Sequence, residues 1–193
     1  MRIVGGEFRS RTLAAPEGVN TRPTSDKVRE ALFNILQARV FGARVLDLYA
    51  GSGAISLEAV SRGAAFALMN DMSRDACRVI RKNIAALGCE NRVRLLSLTD
   101  EAAVRQLAHT EEPFTLCFLD PPYRMNAVPV AESILNAGLL TPDALLIIEH
   151  AKETPPCTPR GMRSVSQRQY GGTGLSFFEP DIPADAAAGP EEE

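Results

Sequence analysis

Four consecutive residues in the middle of the chain, Asp120-Pro121-Pro122-Tyr123, combine a carboxylate, a rigid turn and a flat ring. They follow an apolar run over residues 114–119 that is typical of a buried parallel strand. Each proline lacks an N–H and fixes φ, so the Asp120 carboxylate and the Pro121 carbonyl are acceptors with few donors nearby. Two acceptors beside an aromatic face suit a planar group with an exocyclic NH2, such as a nucleobase or an amide. The alternative is an Asp-Pro turn that only closes the strand.

A glycine-rich turn follows an earlier apolar strand. Residues 45–49 predict the strand, Ala50-Gly51-Ser52-Gly53 follows it, and an apolar helix begins near Ala54. This order forms a cradle in which backbone approaches a ligand at a helix N-terminus. A dinucleotide fingerprint requires a third glycine where Ser56 stands, and a P-loop is excluded because no Gly-Lys-Ser/Thr is present. Asp71, after the next strand, can accept both hydroxyls of a ribose.

Length and composition predict one domain in a reducing compartment. The chain has 193 residues, no run of 18 apolar residues and no signal-peptide pattern at its start. Its four cysteines are scattered without C-x-x-C spacing, which favours free thiols and a cytoplasmic location. With only two histidines and no Cys/His cluster, we expect no metal site.

The net charge of −3 conceals a basic N-terminal region. Residues 1–44 hold eight Lys or Arg against four Asp or Glu, whereas residues 179–193 hold six acids and no base. A basic arm can follow the phosphates of a nucleic acid, although an ordinary solvated face is the alternative. The bases of this predicted arm are Arg2, Arg9, Arg11, Arg22, Lys27 and Arg29.

Hydrophobic periodicity predicts an α/β fold with a parallel sheet covered on both faces. Residues 1–13 are predicted as a short hairpin with Gly5-Gly6 as a bulge or turn, and 14–24 as a loop. Thr24 or Ser25 can cap a helix that runs to about Val40. Helices separate strands predicted at 44–49, 65–70, 92–97, 114–119 and 143–149, and a hairpin pairs 164–170 with 173–179. We predict a single domain over 1–179, its hairpin and basic arm within 1–24, and a disordered acidic tail over 180–193.

The motifs together resemble the class I S-adenosylmethionine-dependent methyltransferases, over about residues 1–179. The segments 2–6, 20–36 and 46–53, with 120–123, are similar to the bacterial family that methylates N2 of one guanine in 16S ribosomal RNA. Asp120-Pro121-Pro122-Tyr123 is shared with adenine-N6 enzymes, whereas Thr21-Arg22-Pro23-Thr24-Ser25-Asp26 separates this family from them.

The resemblance implies a fold and a set of site residues. The fold is Rossmann-like, a seven-stranded sheet in the order 3-2-1-4-5-7-6 with strand 7 antiparallel. The implied catalytic residues are Asp120, Pro121 and Tyr123. The implied cofactor-binding residues are Asp47, Tyr49, Gly51, Ser52, Gly53, Asp71 and Asp100. The implied substrate-binding residues are Arg2, Arg9, Arg11, Arg22, Thr24 and Tyr170.

For two roles in this site, two adjacent or nearby residues are alternatives. Asn70 competes with Asp71 for the ribose hydroxyls, and Thr99 competes with Asp100 for the adenine amino group. We prefer Asp71, which keeps the family spacing to Ala76 and Asn83, and Asp100. Whether the Asp120 carboxylate also accepts the proton lost from the substrate nitrogen is a further open alternative.

The resemblance implies an enzyme with S-adenosylmethionine as cofactor and 16S ribosomal RNA as substrate, within a small subunit or an assembly intermediate. We expect a monomer with no membrane partner. The alternative is an amino methyltransferase acting on adenine N6 of nucleic acid or on a protein glutamine amide. The basic arm favours RNA, because a protein substrate needs no phosphate contacts. A non-catalytic nucleotide-binding module is a third reading, and the intact Asp120 and Tyr123 argue against it.

Overall fold

Seven strands form one sheet in a computed structural model that describes residues 1–15, 26–108, 111–122 and 124–181. The strands are β1 (Arg44–Asp47), β2 (Phe66–Asn70), β3 (Val93–Leu96), β4 (Phe114–Leu119), β5 (Leu140–Ala151), β6 (Met162–Tyr170) and β7 (Thr173–Pro180). Their order is β3-β2-β1-β4-β5-β7-β6. The first five strands are mutually parallel, and β7 is antiparallel to both β5 and β6. The predicted strand order and fold class are confirmed.

Five α-helices of the described residues cover the two faces of the sheet. They are α1 (Asp26–Leu36), α2 (Ala54–Ser61), α3 (Arg74–Leu87), α4 (Asp100–Leu107) and α5 (Val128–Asn136). Successive strand residues enter different apolar clusters, because side chains alternate between the two faces. Val45 packs in the cluster with α1, α2 and α3, and Leu46 in the cluster with α4 and α5. Within the described residues, no helix is long and apolar enough to cross a membrane.

Several element boundaries differ from the predicted ones. β1 ends at Asp47 rather than residue 49, because Tyr49 already belongs to the glycine turn. β5 extends beyond its apolar run, because β4 pairs with its first residue and β7 with its last. α1 ends at Leu36 and continues as a 3-10 turn over Gln37–Arg39, where Gln37 has a positive φ. The residues predicted to cap α1, Thr24 and Ser25, lie outside the described residues.

The N-terminal arm, which we define as residues 1–13, folds back on itself along α2. It forms one antiparallel bridge, Arg2 with Thr12, rather than two full strands. Gly6 has φ of 78°, and a Cβ there would lie 1.9 Å from the Ser61 carbonyl oxygen, so only glycine fits. The Phe8 amide also donates to the Ser61 hydroxyl at 2.8 Å. The turn of the arm therefore lies at the C-terminal end of α2.

The carboxylate of Glu58, fully buried on α2, fastens the arm to the domain. It accepts the backbone N–H groups of Val4 and Gly5 and the Arg62 Nε, each at 2.8 Å. It also pairs with Arg29 Nε at 3.4 Å. The prediction that Arg29 belongs to the phosphate-binding arm is wrong. Arg29 lies on the inner face of α1, where burial requires a paired partner rather than a solvated phosphate.

Glu58→Gln should destabilise the protein by about 3 kcal/mol or more, because it removes the buried opposite charge of Arg29 and leaves only the partly exposed Asp26 as a carboxylate partner. Urea unfolding followed by circular dichroism measures the loss. Glu153→Gln is the matched control, since its side chain is 66% exposed and its change should be within about 0.5 kcal/mol. A Glu58→Gln loss as small as that of the control would show that the buried pair does not hold the arm.

Candidate active site

The carboxyl ends of β1 and β4 lie side by side at the centre of the sheet. The register pairs Asp47 with Phe118, so Asp120 stands one strand away and two residues further along. From here β1 continues to α2 on one face, and β4 continues to α5 on the other face. A crevice at such a reversal of strand order is where doubly wound sheets bind ligands. The predicted site residues of β1 and β4 therefore share one edge.

The turn between β1 and α2 is open towards this crevice. Gly51 has φ of 58°, and a Cβ placed on it would meet no atom within 4 Å. Gly53 has φ of 77° and precedes α2 without a side-chain cap, whereas Ser73 caps α3 and Thr99 caps α4. The first N–H groups of α2 have no partner within the helix. The turn thus combines open space with backbone donors, as a polar ligand requires.

Asp47 lies beneath the turn and is 4% exposed. Its Oδ2 accepts the Ser56 hydroxyl at 2.9 Å. Burial raises the pKa of Asp47 to about 7, the Ser56 hydrogen bond opposes this, and the Asp71 charge adds to it. Ser56 stands where the dinucleotide fingerprint has its third glycine. A glycine there would have no hydroxyl to donate to Asp47.

Asp71 and Asn70 have different surroundings at the end of β2. Asn70 is buried and its amide joins two loops, donating to the Leu48 and Leu98 carbonyls and accepting from the Leu98 N–H. Asp71 is half-buried at the edge, where its two oxygens accept the N–H groups of Gly51 and Ser73, each at 2.8 Å. The geometry thus favours Asp71 over Asn70 as the residue that faces a ligand.

The end of β3 shows a similar division of roles. Thr99 caps α4 by accepting the Ala102 N–H at 3.3 Å. Asp100 Oδ2 accepts the Tyr49 hydroxyl at 2.7 Å, which joins the β1 turn to the β3 turn. Burial and the Asp100 carboxylate raise the pKa of Tyr49, so the hydroxyl stays a donor. Of the two alternatives, Asp100 is the one placed beside the glycine turn.

Asp120 lies between two other carboxylates. The β4–β5 register pairs Leu119 with Ile148, so Asp120 stands beside the buried Glu149. Burial raises the pKa of Asp120 well above its usual range, and the charges of Glu149 and Asp47 raise it further. Pro121 lines a cavity of about 330 Å³ together with Met125, Asn126, His150 and Cys157. Tyr123, the predicted stacking residue, lies outside the described residues.

His150 is held within the sheet. Its Nε2 lies 2.9 Å from the Ser176 hydroxyl, and its Nδ1 lies 2.7 Å from the Ala151 carbonyl oxygen. The ring also occupies the space beside Gly174, where a Cβ would come within 2.2 Å of it. Both ring nitrogens therefore have partners, as expected of a satisfied histidine rather than a catalyst.

The predicted substrate-binding residues fall in three places. Arg2 is near the site, because Met1 Sδ lies 3.3 Å from the Ser52 hydroxyl, and Arg2 Nε lies 3.8 Å from Asp26. Arg9 is exposed in the turn at the far end of the arm, and Arg11 donates to the Ala86 carbonyl on α3. Tyr170 ends β6 opposite Thr173 of β7, and Thr173 in turn pairs with Ala151 at the carboxyl end of β5. Arg22 and Thr24 lie outside the described residues.

Asn83 on α3, which the sequence offers only as a family spacing position, makes contacts that the sequence did not predict. It is buried, and its amide accepts the Ala14 N–H at 2.8 Å and donates to the Ala14 carbonyl at 3.1 Å. It also donates to the Ser52 carbonyl at 2.9 Å. One side chain therefore joins the glycine turn to the segment that leads into residues 16–25. The sequence feature that could have indicated these contacts is a polar residue on the otherwise apolar stripe of α3.

Asp47→Asn should make the ligand-free protein more stable above pH 7 and remove part of its pH dependence. With a pKa near 7, the folded state holds a proton on Asp47 that the unfolded state, with a pKa near 3.8, has lost. The contribution of Asp47 to the free energy of unfolding is therefore largest below about pH 4, and it decreases as the pH rises to 7. We expect a gain of about 2–4 kcal/mol at pH 8 and little at pH 4.

Urea titrations of wild-type and Asp47→Asn protein from pH 4 to 8 measure this difference. Asp75→Asn is the control, because its side chain is 72% exposed and should leave the pH profile unchanged. A variant profile parallel to that of wild type would show that Asp47 is ionised in the folded protein across the whole range.

Comparison with known proteins agrees with this geometry. Residues 1–179 match the family model described as Conserved hypothetical protein 95. Ribosomal RNA small subunit methyltransferase D of Escherichia coli K12 is 38% identical over 97% of this chain and 94% of its own. A solved structure of a candidate methyltransferase from Escherichia coli overlays with a TM-score of 0.81 and 33% identity, over 94% of this chain and 98% of that chain.

A more distant solved structure adds support for the fold alone. It is a candidate methyltransferase complexed with SAH, at 13% identity and a TM-score of 0.66. It covers 79% of this chain and 48% of the other. With the strand order, the glycine turn and the full-length relatives in agreement, the chain belongs to the bacterial family of ribosomal RNA small subunit methyltransferase D, with the class I S-adenosylmethionine-dependent methyltransferase fold.

Proposed function

We propose that this protein transfers a methyl group from S-adenosylmethionine to the exocyclic N2 amino group of one guanine in small-subunit ribosomal RNA. The observation that carries the proposal is the position of Asp120 and Pro121, which directly follow β4 beside the glycine turn after β1. The relative from Escherichia coli, whose name states a ribosomal RNA methyltransferase, supports RNA as the substrate. The chain covers nearly the whole length of that relative.

The residues at the sheet edge fit an S-adenosylmethionine. Open space in front of Gly51 and the uncapped N-terminus of α2 suit the methionine part. Asp71 has the acceptors for ribose hydroxyls, and Asp100 has an acceptor for an adenine amino group. When bound, the cofactor supplies an electrophilic methyl group on a positively charged sulfur. Such a charge suits a crevice with the carboxylates of Asp47 and Asp120 at its base.

Asp120 and Pro121 act on the nucleophile in this proposal. The guanine N2 lone pair is delocalised into the ring, so the amino group is a poor nucleophile. Hydrogen bonds from the NH2 group to the Asp120 carboxylate and the Pro121 carbonyl favour a pyramidal nitrogen whose lone pair is free. Tyr123 would stack on the base, a contact worth about 1–3 kcal/mol. The guanine must leave its stack to enter the site.

The same two acceptors would serve adenine N6 or a glutamine amide, so the amino group alone does not select the substrate. Exposed arginines of the arm, Arg2, Arg9 and Arg11, favour a polyanion over a protein. The preference for guanine rests on the family resemblance through Thr21-Arg22-Pro23-Thr24-Ser25-Asp26. We further propose that a monomer acts on RNA presented within a small subunit or an assembly intermediate.

Asp120→Ala should abolish methyl transfer, with kcat reduced about 10³-fold, and leave the affinity for S-adenosylmethionine within about twofold of wild type. Transfer of labelled methyl to small ribosomal subunits from a strain lacking the enzyme measures kcat, and calorimetry measures cofactor affinity. Asp143→Ala is the control, because this exposed acid lies near the opposite end of β5.

The two readouts separate the possible roles of Asp120. Lost transfer with intact cofactor binding assigns it to the substrate amino group. Lost cofactor binding in Asp120→Ala would contradict the proposed role and assign Asp120 to the cofactor instead. Unchanged transfer would remove it from the chemistry altogether.

A further inference from the structure

α3 differs in charge from every other helix in the described residues. It carries four bases, Arg74, Arg78, Arg81 and Lys82, against the single acid Asp75. α1 holds equal numbers of acids and bases, and α2, α4 and α5 each hold one more acid than base. The net charge of the chain is −3, so a positively charged helix concentrates positive electrostatic potential on one face of the protein.

Three of these bases lie on one row of the helix. Arg74, Arg78 and Lys82 are four residues apart, so they are neighbours about 6 Å apart on the helix surface, and all three are exposed. The next position of the row is Ala86, whose carbonyl oxygen accepts the Arg11 guanidinium. Arg11 therefore continues the row at its far end, and we call these four bases the α3 track. Arg81 is not part of it, because it faces β3 beside Val93.

The track begins at the active-site edge. Ser73 caps α3, and Asp71 on the same turn binds the Gly51 N–H, so Arg74 begins α3 three residues after the proposed ribose-binding Asp71. From Arg74 to Lys82 the row extends about 12 Å along the helix. Asp120 is two strand spacings from β2, about 10 Å away. The track thus leads away from the place where the target base would enter.

Its charges are available to a polyanion. Among the described residues, Arg74 and Lys82 make no ion pair, and Arg78 pairs only with Asp75, as a solvated pair whose side chains are 77% and 72% exposed. Such exposed pairs contribute little and exchange readily for phosphate. In contrast, Arg92 is occupied by Glu7 at 2.9 Å and by the Phe8 ring.

We propose that the α3 track is a phosphate-binding surface that holds the RNA strand flanking the target nucleotide. This inference rests on the proposed function, because it takes ribosomal RNA as the substrate. The track adds Arg74, Arg78 and Lys82 to the predicted basic arm and places Arg11 at its end. It is long enough for roughly two or three successive phosphates of one strand.

The double variant Arg78→Gln/Lys82→Gln tests the track against Arg105→Gln/Lys152→Gln. The control is matched, because Arg105 also pairs within its helix, with Glu101, and Lys152 is half-exposed beside Glu153. Both doubles remove two positive charges, so an effect of net charge alone would be equal. Methyl transfer to small ribosomal subunits from a strain lacking the enzyme gives kcat and KM at several salt concentrations. Calorimetry gives the affinity for S-adenosylmethionine.

We expect the α3 double to raise KM for the subunit roughly tenfold, with kcat and cofactor affinity unchanged. The slope of log KM against log salt should fall by about 1.4, two phosphate contacts at about 0.7 each. Arg78→Lys, which keeps the charge, should retain the KM of wild type.

Two failures are distinguishable in this experiment. If wild-type protein methylates no RNA, the proposed function fails and the track loses its substrate. If wild type is active and the α3 double matches the control in both KM and salt slope, the function stands and the inference is overturned. A fall in melting temperature with lost cofactor binding would assign these residues to stability and would also overturn it.

Discussion

The parallel pairing of β1 with β4 is the constraint on which the rest of this site depends. It places Asp47 and Asp120 at neighbouring strand ends, and the two following segments leave on opposite faces of the sheet. The glycine turn and the Asp120-Pro121 acceptors can then face one crevice. The cost is carboxylates crowded in a poorly solvated place, which raises the pKa values of Asp47 and Asp120. A cationic ligand would relieve that crowding. The same close carboxylates therefore destabilise the ligand-free protein and suit the binding of a positively charged cofactor.

A second buried carboxylate shows the opposite arrangement. Glu58 is surrounded by donors, two backbone N–H groups of the arm and the guanidinium groups of Arg29 and Arg62. It fastens the first residues of the chain to α2, the helix that begins at the glycine turn. Asn83 makes a similar connection from α3, joining Ala14 to the Ser52 carbonyl. Both ends of the arm are therefore anchored next to the site, although its turn lies at the far end of α2.

The sequence predicted the parts of the structure that depend on local pattern. Apolar runs gave the strands, and the resemblance implied their order, which the sheet confirms. Partners distant in sequence were not visible. Local pattern shows the Asp26 partner of Arg29 but not its buried partner Glu58, 29 residues away, and the Tyr49 partner Asp100 is 51 residues away. The site assignments stay predictions, although the contacts of Asn70 and Thr99 favour their neighbours Asp71 and Asp100. Tyr123, Arg22, Thr24 and the tail from 182 fall outside the described residues.

The identity of the methylated nucleoside tests the central claim most directly. Wild-type protein is incubated with radiolabelled S-adenosylmethionine and small ribosomal subunits from a strain lacking the enzyme, and the RNA is then digested to nucleosides. We predict that the label appears in N2-methylguanosine. Label in N6-methyladenosine would retain the chemistry of Asp120 and contradict the guanine assignment. Cofactor binding without any label in RNA would contradict the RNA substrate itself.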